Sequence, residues 1–296
     1  MKQSPPTHRT VAGRSYLALR AKARADGRGT QELLQLFALE SFVDRLSSSP
    51  RAEDLILKGG VLLSAYDVRR PTRDVDLTAQ HLPNDPERVR ELIAQVLAEL
   101  RADGWIYSVI SADVIRDAEA YSGVRVTVQG ELASARVTFH VDVNVGDVVW
   151  PPADVVVVPR LLGGSISVRG YPLSMVLAEK LVTTVQRGTA NTRWRDFADV
   201  YLLSGKHALH AEHVRESIRR VGEYRRAVLA PLSSVLIDYA SLAQTRWAAW
   251  VRKQNLSDRL PTTFGAVLAE VQQFADPLMS SGSAASAWIP RTRQWD

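Results

Sequence analysis

Polar and apolar residues alternate most clearly between Ala135 and Val145. Val137, Phe139, Val141, Val143 and Val145 occupy the odd positions, with Arg136, Thr138, His140, Asp142 and Asn144 between them. A period of two predicts a strand with one buried and one open face, and Asp142 falls on the open one. Shorter runs predict further strands at Leu55–Leu57, Val75–Ala79, Trp105–Ile110, Val124–Val128, Val155–Val158 and Ile166–Val168. Leu36, Leu39, Val43 and Leu46 recur at helical spacing in a helix that starts near Thr30 and ends at Ser47–Pro50. Asp85-Pro86, a cap followed by proline at the first helical position, opens another helix with the stripe Val89, Leu92, Val96 and Leu100. Tyr16 to Ala25 and Val61 to Tyr66 also read as helical. From Pro172 the pattern is helical throughout, with segments near 172–187, 193–204, 211–220, 224–250 and 262–275. Ser280 to Ser286 are small and polar and read as a flexible linker. The chain is therefore α/β first and mainly α afterwards, with expected domains at 1–170 and 171–296.

Composition narrows the chemistry. The 296 residues, 46% apolar and 23% charged, suit a globular chain of one large or two modest domains. Without cysteine there is no disulfide, thiolate metal site or cysteine nucleophile, so a metal must sit on oxygen or imidazole. The net charge of +5 and a basic stretch before residue 30, broken by Pro5, Pro6, Gly13, Gly27 and Gly29, fit an anionic partner. No apolar run of about 18 residues and no apolar leader core is present, which predicts a cytoplasmic protein without membrane contact.

Three constellations carry candidate chemistry. The first is KGGVLLSAYDVRRPTRDVDL, residues 58 to 77. Lys58-Gly59-Gly60 follows a strand and precedes a helix, where glycines let backbone amides approach phosphate. Thirteen residues separate Gly60 from Asp74, and Asp74 and Asp76 stand two apart on a strand and so share a face. Paired carboxylates beside such a turn suit a hard divalent cation, Mg²⁺ or Mn²⁺, that bridges an attacking oxygen and a triphosphate. Arg73 adds positive charge beside them. The second is Asp142, a third metal carboxylate, a base for an attacking hydroxyl, or a plain surface aspartate; Asp147 is its nearest substitute. The third is residues 177 to 203, where Lys180, Thr184 and Arg187 share one side of a helix and Arg193, Arg195, Asp196 and Asp199 begin the next. Lysine and arginine aimed at one cleft hold a triphosphate; read alone, the segment is as well a charged helix face. His140 shares the face of Asp142 and could support the ligands. A P-loop, a Ser-His-Asp order and a G-x-S-x-G elbow are all missing.

Gly59-Gly60 followed by Asp74-x-Asp76 resembles the signature of the DNA-polymerase-β-like nucleotidyltransferases. Together with AEKLVTTVQR and RWRDFADVYLL, it is similar to the AbiEii/AbiGii toxin family, which includes the MenT toxins of mycobacteria. The likeness covers about residues 30 to 205 and maps onto Gly59, Gly60, Asp74 and Asp76, then Lys180 and Arg187, then Arg193, Asp196 and Asp199. Arg195 stands where that family more often has lysine, and Gly60 where it often has serine.

The resemblance implies a mixed α/β nucleotidyltransferase sheet flanked by helices, a mainly helical C-terminal domain, and a cleft between them. It implies transfer from a nucleoside triphosphate to the 3′ end of tRNA, release of pyrophosphate, a block of translation, and a cognate antitoxin. In this reading Asp74, Asp76 and in one version Asp142 hold the metal. Lys58, Gly59, Gly60, Arg73, Lys180 and Arg187 bind the nucleotide, and Asp196 orients Lys180 or acts directly as a catalytic carboxylate. Asp74→Ala or Lys180→Ala is expected to abolish transfer with the chain still folded. The rival readings are a small-molecule or protein acceptor for the same chemistry, and a catalytically inactive nucleotide-binding regulator.

Overall fold

The computed structural model of the chain describes residues 6–80, 82–116, 122–280 and 284–296. Pro5 and part of the Ser280–Ser286 stretch lie outside these residues. The chain forms two compact units, one of residues 1–147 and 153–171, the other of residues 148–152 and 172–296.

The first unit begins with α1 (Val11–Ala25), capped by Thr10, whose side chain accepts from the Gly13 amide, and α2 (Thr30–Ser48). β1 (Leu55–Lys58) runs into the single-turn α3 (Gly59–Leu62) and a 3₁₀ turn, Leu63–Tyr66. β2 (Asp74–Ala79) follows, then α4 (Pro86–Ala98), where the Asp85 carboxylate accepts from the Arg88 amide as the cap pattern predicts. The strands β3 (Ile106–Arg116), β4 (Ser122–Leu132), β5 (Ala135–Val145), β6 (Asp154–Pro159) and β7 (Ser165–Gly170) complete a seven-stranded mixed sheet in the order β3-β4-β5-β2-β1-β7-β6. β2 lies between β1, antiparallel, and β5, parallel. That register puts Asp76 opposite Lys58 on one side and Asp142 on the other, and Asp74 opposite His140.

Val137, Phe139, Val141 and Val143 of β5 are buried as the alternation predicts, Val145 is only half-buried, and Asp142, expected on the open face, is buried as well; Phe139 packs edge-on to Phe42 of α2. α2 is buried well beyond its expected stripe, because α1, α4, β5 and β7 all contact it. Its polar side chains are therefore enclosed and paired. Arg45 binds Asp103 through its two terminal nitrogens, Nη1 and Nη2, and Glu40 takes Arg69 and the Leu161 amide. Burial pushes the Glu40 carboxyl up, against the pull of Arg69.

The second unit contains α5 (Leu173–Arg187), α6 (Trp194–Ser204), β8 (Leu209–His210), α7 (Ala211–Tyr224), α8 (Leu232–Val235), α9 (Tyr239–Lys253) and α10 (Phe264–Met279). The single helix expected over 224–250 is broken. Pro231 caps α8, the Asp276 carboxylate takes the Leu232 and Ser233 amides, and Asp238 turns left-handed before α9. β9 (Ala287–Ile289) and β10 (Gln294–Trp295), which the linker reading did not foresee, pair with β8 in a small sheet. Trp288 is buried there against Phe274, and its indole nitrogen donates to the Ser204 carbonyl.

Candidate active site

β2 and β5 present Asp74, Asp76, Thr78, His140, Asp142 and Asn144 on one polar face. Asp74 and Asp76 are both partly exposed at its centre. The turn before α3 abuts them. Gly59 has φ +66°, and a Cβ there would come within 1.8 Å of Asp76 Oδ2. Glycine is required twice, by the left-handed backbone and by the carboxylate against its Cα. A Cβ on Gly60 would meet Thr72 Oγ1 at 2.5 Å, so the Thr72 hydroxyl occupies the space a serine would need. The helix that follows has four residues, so its macrodipole is small, and the backbone amides are what the turn offers an anion.

The remaining candidates are held by specific partners. His140 Nδ1 lies 3.0 Å from Asp74 Oδ1. Asp142 receives two hydrogen bonds from one arginine, Arg125 Nε at 2.8 Å and Nη2 at 2.6 Å. Arg125 carried no signal in the sequence, since a lone arginine in a strand has no motif; its place opposite Asp142 comes from the β4–β5 register. The Lys58 ammonium is buried 2.5 Å from Asp147 Oδ2, over the Tyr171 ring, and Thr78 donates to that same oxygen at 3.1 Å. Lys58 and Asp147 thus brace β1 beside the site. Arg73 is exposed at the head of β2. A shallow, mainly apolar dimple lies beside the glycine pair, lined by Leu36, Leu39, Gly60, Val61 and Thr72 among others, and none of the three aspartates borders it.

In the second unit, Lys180 of α5 donates to Asp196 Oδ1 at 3.1 Å and Asp199 Oδ2 at 2.7 Å, both on α6. Arg193 Nε donates to the other Asp196 oxygen at 2.6 Å. Burial alone would raise the Asp196 carboxyl, but Lys180, Arg193 and Arg195 outweigh it and hold it below the usual carboxylate range. Asp196 is fully engaged by cations, so this geometry favours the role of orienting Lys180. Arg187 is half-buried at the end of α5.

A divalent cation can be tested against this donor set. Among the described residues no group of three or more His, Asp or Glu side chains forms a metal shell. Asp74 and Asp76 offer hard oxygen on a shared face, with Asp142 on the neighbouring strand. That suits Mg²⁺ or Mn²⁺, which take one or two carboxylates and complete their shells with water and substrate phosphate.

The sequence profile of the nucleotidyl transferase AbiEii toxins of type IV toxin–antitoxin systems matches residues 41–274. The chain belongs to this family. As an AbiEii nucleotidyltransferase it is a toxin-family transferase, for which a nucleoside triphosphate, a divalent metal and an antitoxin partner are general properties. Among solved structures, JHP933 from Helicobacter pylori and a second H. pylori protein assigned provisionally to the nucleotidyltransferases are similar. Each is 15% identical with a TM-score of 0.47 over 82% of this chain, covering 90% and 92% of theirs respectively. No curated protein matches the chain. No helix among the described residues is long and apolar enough to cross a membrane.

Proposed function

We propose that this AbiEii chain transfers a nucleotide from a nucleoside triphosphate to the 3′ end of tRNA and so blocks aminoacylation and translation. The observation that carries the catalytic part is the Asp74–Asp76 pair against the Gly59 turn. The first unit is the nucleotidyltransferase domain in this reading. Asp74 and Asp76 would hold Mg²⁺, which when bound neutralises triphosphate charge. The Gly59 and Gly60 amides receive phosphate oxygens, and Arg73 supplies exposed positive charge beside the pair. Lys180 and Arg187 are the proposed phosphate ligands of the second unit, with Asp196 and Asp199 fixing the direction of the lysine. Lys58 acts through Asp147 and supports the strand. The 3′-hydroxyl oxygen of the acceptor bonds to the α-phosphorus and gives its proton to water, the bond from the α-phosphorus to the α–β bridging oxygen breaks, and pyrophosphate leaves with that oxygen.

The RNA acceptor is supported by the net charge of +5 and by Arg14, Arg20 and Arg24 exposed along α1. The test mixes purified protein with Mg²⁺, total tRNA and each α-labelled nucleoside triphosphate in turn, with Asp74→Ala as control. Label on tRNA from the wild type alone is the expected result. Equal labelling by a folded Asp74→Ala chain refutes the site. Label that goes instead to a protein or small-molecule pool keeps the chemistry and replaces the acceptor.

A further inference from the structure

The chain passes from the first unit to the second after Asp147 and again after Tyr171. Both residues are tied to one buried hydroxyl. Thr78 Oγ1 donates to Asp147 Oδ2 at 3.1 Å and lies 2.7 Å from the Tyr171 hydroxyl. A threonine has one hydroxyl proton, and a carboxylate only accepts, so the Tyr171 hydroxyl is the donor to Thr78. Thr78 and Tyr171 are fully buried. Other bonds surround this bridge. The Lys58 ammonium takes the same Asp147 oxygen at 2.5 Å and lies over the Tyr171 ring. The Tyr171 amide donates to the Leu57 carbonyl at 3.0 Å, and the Tyr171 carbonyl accepts from the Tyr66 hydroxyl at 2.6 Å.

The chain beyond each of these anchors is short. After Asp147 it reaches Trp150, whose carbonyl accepts from Ser217 of α7 at 2.9 Å and whose ring lies under the Arg220 guanidinium. After Tyr171, Pro172 with its fixed φ caps α5, and Lys180 stands about two turns into that helix. Thr78 shares β2 and its polar face with Asp74 and Asp76. One strand therefore carries both the candidate metal pair and the hydroxyl that joins the two exits.

We propose that Thr78 is a positioning residue: through Asp147 and Tyr171 it fixes both chain exits to β2, and so sets how Lys180 is presented to a triphosphate bound at Asp74 and Asp76. The inference rests on the reading of Lys180 as a phosphate ligand. A buried hydroxyl that bridges two partners can let go only by leaving polar groups unpaired in the interior, which makes the bridge stiff. An anchor of this kind orders the lysine before the ligand arrives. When the bridge is cut and the competent arrangement falls to about one-tenth of the population, apparent affinity falls about tenfold. Lys58 braces the same bridge through Asp147.

The chain has no cysteine, so spin labels can be placed on introduced ones. Ala94→Cys on α4 and Ala249→Cys on α9, both exposed positions, put one label on each unit of the full chain. Double electron–electron resonance then reads the spread of the label-to-label distance in the parent, Thr78→Val, Thr78→Ser and Tyr171→Phe. Valine keeps the shape of threonine without the hydroxyl, and serine keeps the hydroxyl. Phenylalanine removes the Tyr171 arm and leaves no buried donor without an acceptor, which makes it the milder cut. Calorimetry on the same proteins measures affinity for the α,β-methylene analogues of ATP, CTP, GTP and UTP with Mg²⁺. Thr78→Val and Tyr171→Phe are each expected to broaden the spread and to weaken the bound analogue about tenfold. Thr78→Ser is expected to match the parent in both. An unchanged spread in either folded variant overturns the proposal, as does a Thr78→Ser chain as broad as Thr78→Val. A broadened spread at unchanged affinity also overturns it when Lys180→Gln, shown to be folded, weakens the analogue. If Lys180→Gln leaves binding intact, or the parent binds no analogue, the phosphate reading of Lys180 falls and the positioning role with it.

Discussion

Gly59 and Asp196 show how much single residues decide here. At Gly59 a side chain meets both a left-handed backbone and the Asp76 carboxylate at 1.8 Å. Gly59→Ala is expected to destabilise the chain by about 1–2 kcal/mol from the backbone alone, and to displace Asp76, so that transfer is lost as well. Denaturant melts alongside the transfer assay check both; an active, equally stable variant would show the turn to be misread. Asp196 is enclosed and paired with Lys180 and Arg193. Its carboxyl is held below the ordinary value of 3.8, so its contribution to stability is complete above that value. The contribution is lost as pH falls through the lower, folded value. Urea midpoints followed from neutral pH into acid should show that loss only below about pH 4. Asp196→Asn should remove its share of the acid loss and weaken the fold at neutral pH by about 1–3 kcal/mol, since Arg193 loses this carboxylate partner and Lys180 keeps Asp199. The same geometry changes the expectation for Lys180→Ala. Asp199 is fully buried, and Asp196 lies beside it. Removing the ammonium exposes each to the other's charge, so a loss of activity in that variant is informative only when folding is measured with it.

The elements divide by whether their signals are local. β5 is found where the alternation puts it, because one buried and one open face leave a period-two trace. α2 starts at Thr30 as expected, yet its paired Glu40 and Arg45 were not foreseen as buried, since their partners Arg69 and Asp103 lie 29 and 58 residues away. The sequence predicts one helix across α8 and α9 because the apolar spacing continues through Pro231, and Asp276, 44 residues from Leu232, is what makes the break stable. The tail hairpin β9–β10 is the most consequential omission. Trp288 is 1% exposed and packed on Phe274. Trp288→Ala is expected to reduce stability by about 3–5 kcal/mol. A chain cut after Met279 should lose at least as much, and thermal unfolding of either variant at the wild-type temperature would show the tail to be dispensable.

For the whole molecule the relevant quantities are charge and the presence of two compact units. A net charge of +5 supports capture of RNA mainly through phosphates. Binding of tRNA to the inactive Asp74→Ala chain is therefore expected to weaken by at least about tenfold between 50 and 200 mM salt. A salt-independent affinity would point to an acceptor recognised by other means.

The sequence by itself determined the fold class, the paired aspartates, the glycine turn and the family resemblance. Each is written in neighbouring residues, in a period of two or 3.6, or in a short spacing. Only the tertiary structure decided which charges those residues meet. Strand register set Arg125 on Asp142 and His140 on Asp74. The strand order β5-β2-β1 placed Lys58 on Asp147, just past β5, and packing of α5 on α6 placed Lys180 on two aspartates. Such pairings join residues 16 to 89 positions apart. A charged side chain looks the same in the sequence whether solvent or a buried partner awaits it, and desolvation makes the difference between them.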